Sequence, residues 1–99
     1  MAYVVIGVKK ELISKIPEVL RDDLTSRQSI TMRDASALDM KLDLHLVMIE
    51  GNDKGVERAK EVFKGVGEPL PEKEAKIAYD KIKEEEEKAS TGVGMIFDA

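Results

Sequence analysis

"LHLVMIEGNDKGVERAKEVF", residues 44–63, holds the turn on which the fold depends. Leu44, Leu46 and Met48 alternate with His45, and Val47 and Ile49 then make the second set apolar as well, which is the pattern of a strand that becomes buried on both sides. The run stops at Gly51. Asn52 or Asp53 can cap a helix by accepting from a free backbone N–H, and Val56, Ala59, Val62, Phe63 and Val66 then share one helical stripe. A strand therefore passes into a helix through a very short corner. Free N–H groups and a partial positive charge at such a helix start are suited to an anion, which makes Asn52, Asp53 and Gly55 candidate ligand-binding residues. A capped, tight corner is the simpler reading and requires no ligand.

Upstream, residues 40–49 alternate, with Met40, Leu42, Leu44, Leu46 and Met48 on one face and Lys41, Asp43 and His45 on the other. "SRQSITMRD" alternates too, with Ile30 and Met32 turned inward, and "DASALD" between the two runs suits a hairpin loop. Residues 2–9, "AYVVIGVK", are apolar on both alternating sets and read as a central strand. In "KELISKIPEVLRDDL" Leu12, Ile13, Ile16, Val19, Leu20 and Leu24 fall on one face; Pro17 is tolerated if Ser14 caps the helix, giving an expected helix over about residues 14–24.

Downstream, the helix that follows the corner ends at Gly65 and Gly67. Pro71 then opens a third helix, "PEKEAKIAYDKIKEEEEKAS", whose apolar stripe is thin: Ala75, Ala78, Tyr79, Ile82 and Ala89. "TGVGMIFDA" reads as a last strand over about residues 93–98. The expected order is βαββααβ in one domain, residues 1–99. That is an α+β, two-layer sandwich of the split βαβ, ferredoxin-like kind with one extra C-terminal helix. The extra helix raises a problem of direction, because a return helix ahead of the last strand would deliver that strand parallel to the first.

Composition narrows the chemistry. Ninety-nine residues without cysteine and with one histidine exclude disulfides, thiolate metal sites and thiol catalysis, and no metal or cofactor is expected. A net charge of −4 with the two signs interspersed, and few aromatic residues, disfavour nucleic acid. "AYVVIGV" is too short to span a bilayer and lacks the flanks of a signal peptide, so no membrane association and a cytoplasmic location are expected. Lys and Glu are abundant while Gln and Asn are scarce, a mix common in thermophile proteins. The pairs Gly65/Gly67 and Gly92/Gly94 lack the strand-before, helix-after context of a dinucleotide loop. The glutamates of residues 84–87 radiate around a helix and do not converge on a cation. Arg21, Arg27 and Arg33 have Asp22, Asp23 and Asp34 beside them, which cancels most of their field.

Two functional expectations follow. With two helices on one side of the sheet, Tyr3, Val5, Val47 and Ile49 form an apolar strip across the other side, which either the third helix covers or a second subunit meets. The first expectation is therefore a non-enzymatic binding, regulatory or assembly module, dimeric through this sheet face, with a small molecule or a protein as partner. The second is a small enzyme or enzyme subunit in which His45 acts as an acid–base group with Asp43, Glu50 or Tyr3.

Overall fold

The computed structural model describes the backbone of residues 2–98 and the side chains of residues 2–87. Four strands form one antiparallel sheet: β1 (Ala2–Lys9), β2 (Ser29–Asp34), β3 (Leu44–Gly51) and β4 (Gly67–Pro69), in the order β2-β3-β1-β4. Helices α1 (Ile16–Val19), α2 (Asp23–Ser26), α3 (Asp53–Val62) and α4 (Glu72–Asp98) complete the regular structure, with 3₁₀ turns at Lys10–Lys15 and Ala35–Leu38. The α+β class and the antiparallel hairpin of the second and third strands agree with the sequence. So does the apolar central strand: Val4 to Val8 are buried in the middle of the sheet.

Between the first two strands the expected helix over residues 14–24 is broken into three pieces. Lys10–Lys15 is a 3₁₀ turn without a side-chain cap, so Ser14 does not start the helix. Pro17 sits in the first turn of α1, where its missing N–H costs nothing. Asp22 then ends that turn and caps α2, accepting from the Thr25 N–H at 3.1 Å and the Thr25 hydroxyl at 2.9 Å. In the hairpin, Asp34 caps the 3₁₀ turn, Ala35 and Leu38 are buried, and Asp39 takes the left-handed conformation at φ 57°. β3 begins only at Leu44, so Met40 to Asp43 lie outside the strand.

The end of the chain differs most from expectation. The last strand is Gly67–Pro69, ahead of the last helix, and residues 93–98 continue α4 instead of forming a strand. The order βαββααβ is thereby corrected to β, short helices, β, β, α, β, α. This resolves the problem of direction: α3 carries the chain back along the sheet, so β4 runs parallel to β3 and antiparallel to β1. β4 escaped notice because it has no alternating apolar pattern to find. It is three residues long, and Glu68 and Pro69 are exposed. Gly67 fits there because a β-carbon would press within 2.8 Å of the Gly7 carbonyl and of the Ile6 and Val8 methyl groups.

Register sorts the apolar residues into two cores. Val4 pairs with Ile49 and Ile6 with Val47, and this face packs against Ile16, Val56, Ala59 and Phe63. Val5 pairs with Met48 and Gly7 with Leu46, and this opposite face packs against Ala35, Leu38, Ala78 and Ile82. Helices thus cover both faces, and the expected two-layer arrangement gains a third layer. The expected strip of Tyr3, Val5, Val47 and Ile49 is not one surface. Tyr3 and Val5 look toward α4, whereas Val47 and Ile49 look toward α3, and only Tyr3 retains any exposure. The alternation put Leu46 and Met48 with the wrong helices, because a strand that is apolar on both sets does not say which face meets which roof.

Candidate functional site

The corner after β3 is filled from within. Asn52 caps α3 by accepting from the Gly55 N–H at 2.7 Å. The Gln28 carboxamide lies across the same corner: its oxygen accepts from the Asn52 N–H at 3.2 Å and its nitrogen donates to the Leu24 carbonyl at 3.0 Å. A β-carbon on Gly51 or Gly55 would collide with that carboxamide, so a side chain at either position would push Gln28 out of the corner. Of the candidate residues Asn52, Asp53 and Gly55, the first has its N–H and side-chain oxygen, and the third its N–H, engaged in this packing. Sequence reasoning missed Gln28, which is 24 positions away.

His45 pairs across the strands with Asp34 and lies on the α3 side of the sheet. Glu50 and Tyr3 lie on the α4 side, so register separates the expected acid–base partners. Asp43 is ion-paired with Lys10 at 3.2 Å.

Glu50 instead anchors a different cluster. It is a buried carboxylate that accepts from the Tyr79 hydroxyl at 2.6 Å and from the Lys83 ammonium at 2.6 Å. The Tyr3 and Tyr79 rings lie 4.2 Å apart, and Lys83 sits 5.5 Å from the Tyr79 ring centre. Helical spacing brings this about, since residues 75, 78, 79, 82 and 83 share one face of α4. The electrostatics argue for a clamp. The Lys83 ammonium and the Tyr79 hydroxyl hold the Glu50 carboxyl below its ordinary value. Glu50 in turn raises both Tyr79, with help from burial, and Lys83. Each group is thus locked in the charge state it already has at neutral pH, the opposite of what proton transfer needs. Farther along, Lys81 donates to the Leu38 carbonyl at 2.7 Å and Arg33 meets Glu85 at 3.1 Å, so the glutamate run is used in part to seat α4 against β2.

An open concavity exists elsewhere, beside β4. It has a volume of about 470 Å³, within the size range of small-molecule sites. Leu12, Leu44, Val66 and Leu70 give it apolar walls, the backbone from Gly65 to Pro71 forms one side, and Lys9, Glu68 and Glu74 stand around it. Gly7 makes room at its floor, where a β-carbon would come within 2.9 Å of the end of Leu44 and 3.1 Å of the end of Leu70. None of the ligand-binding, interface or acid–base residues expected from the sequence lines this cleft; Leu12, Leu44, Val66 and the glycines Gly65 and Gly67 were read there only as packing or turn residues. Its elements meet only once β4 is placed, and that strand carries no pattern.

Among the described residues no group of three or more His, Asp or Glu side chains gathers as a metal site, and no helix is long and apolar enough to cross a membrane. No protein-family model, curated protein or solved structure matches this chain.

Proposed function

We propose that this chain is a non-enzymatic binding module whose site is the cleft beside β4. One observation carries the reading: the cleft combines apolar walls with Lys9, Glu68 and Glu74, whose side chains have no ion pair or hydrogen bond among the described residues. Elsewhere the polar clusters are closed on themselves, as Gln28 closes the corner and Tyr79 and Lys83 close Glu50. A mostly apolar pocket with a few convergent polar groups is the usual form of a small-molecule site. The strand order β2-β3-β1-β4 supports reading residues 2–70 as a split βαβ, ferredoxin-like unit to which α4 is added.

Pairing of two copies through the sheet face is not part of this proposal, because α4 already occupies the face that Tyr3 and Val5 present. The acid–base reading finds no support either, since His45 is not among the residues that line the cleft.

Titration of the ¹⁵N-labelled chain with a fragment set of small alcohols, amines, acids and amino acids tests the proposal. Shifts should concentrate at the amides of Gly7, Leu44, Gly65, Val66, Gly67, Glu68 and Leu70. Shifts confined to the Gln28–Gly55 corner or to the Glu50 cluster would refute the assignment.

A further inference from the structure

The polar groups around the cleft define the chemistry of its ligand. The Leu70 N–H donates to the Val5 carbonyl at 2.9 Å, so by the two-residue period of an antiparallel ladder Glu68 also turns its backbone toward β1, opposite Gly7. Gly67 and Pro69 therefore turn theirs outward, away from the sheet. The Gly67 N–H is already given to the Phe63 carbonyl at 2.9 Å, and proline has none. The outer edge of β4 thus offers carbonyl acceptors and no donor, which is unsuited to adding another strand. It suits a ligand rich in donors.

Around the same cleft stand two carboxylates, Glu68 and Glu74, and one ammonium, Lys9. A purely cationic ligand would leave Lys9 against a like charge, and a purely anionic one would face both carboxylates. Only a molecule carrying both charges answers all three groups. Resting on the reading that the cleft is the binding site, we propose that it takes a small apolar zwitterion. The ligand ammonium meets Glu68, Glu74 and the edge carbonyls of β4, the carboxylate meets Lys9, and a branched hydrocarbon group lies among Leu12, Leu44, Val66 and Leu70.

Leucine and three clipped relatives test this: 3-methylbutylamine keeps only the amine, 4-methylpentanoate only the carboxylate, and 3-methylbutanol neither charge. Calorimetry on the full chain at low salt and neutral pH should give leucine at least about tenfold tighter binding than any of the three, the margin of one charge-assisted contact. Lys9→Gln should weaken leucine about tenfold without weakening the amine, whereas the double variant Glu68→Gln, Glu74→Gln should weaken both. Equal affinity for leucine and one clipped relative would overturn the proposal, as would leucine binding that neither variant alters. Amide shifts at Gly65 to Leu70 separate the two levels of the argument. If the alcohol moves them and leucine binds no better, the zwitterion is refuted and the cleft stands. If none of the four compounds moves them, both fall.

Discussion

The two faces of the sheet are covered by different means. On one, Ile16 of α1, Val56 and Ala59 of α3 and Phe63 just after it press onto Val4, Ile6, Val47 and Ile49 in an apolar core, with the Asp22–Arg58 ion pair tying α2 to α3 beside it. On the other, α4 contributes Ala78 and Ile82 as the buried apolar residues among its described side chains, and its Tyr79 and Lys83 clamp the Glu50 carboxylate of β3. Hydrophobic burial scales with area. A contact stripe that is half alanine over the described residues buries little, and polar ties of defined geometry then decide where that part of the helix sits. The comparison suggests a first core that holds the fold and a second that positions α4.

The largest effect should come from the first face. Phe63→Ala removes a fully buried ring and should cost about 3–5 kcal/mol in urea unfolding, lost by the whole molecule together. Ile82→Ala should cost about 2–3 kcal/mol and act locally: hydrogen exchange should speed up in α4 while the amides of β1 and β3 keep their protection. Equal loss of protection in both places would abolish the distinction between the faces.

Glu50→Ala should cost about 1–3 kcal/mol by leaving the Tyr79 hydroxyl without its acceptor and Lys83 without its partner. The same clamp predicts two limits in pH. Glu50 is depressed below its ordinary 4.5, so its contribution is complete above that value and is lost as pH falls through the lower folded value. Tyr79 and Lys83 are raised above 10.0 and 10.5, so theirs are complete below those values and are lost as pH rises through the higher folded ones. On the other face Asp22 is held down to about 2 by Arg58 and by Thr25, and it adds a limit on the acid side alone, between its ordinary 3.8 and about 2. Melting curves across pH should therefore show alkaline loosening that Glu50→Gln removes and Asp22→Asn does not. The smallest expected effect is Gln28→Ala, about 1 kcal/mol for the hydrogen bonds across the corner.

How far the sequence foretold these features depends on the range of the signal. The central strand, the hairpin, the capped corner and the stripe of α3 were legible, because each is written in spacings of two, three or four residues. Pro17 and Asp22 carried signs of a break that the apolar periodicity of residues 12–24 concealed. The assignment of sheet faces was not legible: β1 and β3 are apolar on both sets, and only pairing decides that Val5 accompanies Met48 and Val4 accompanies Ile49. β4 was hidden by its brevity, and with it the cleft. In residues 93–98 the run of apolar residues resembled a strand, although no partner strand follows from the pattern itself. The thin stripe Ala75–Tyr79–Ile82 did point to a helix able to cover a sheet face, and Glu50 at the end of β3 gained a role only when that helix reached it.

The central claim is that α4 covers the sheet face of its own chain. A sample mixing ¹³C-labelled and unlabelled molecules allows contacts within and between chains to be told apart by isotope-filtered NOE spectroscopy. Ile82 should show NOEs to Val5 and Met48 within one molecule and none between molecules. Intermolecular NOEs from Ile82 to Val5 or Met48 would show that the face is covered by a second copy, contradicting the account.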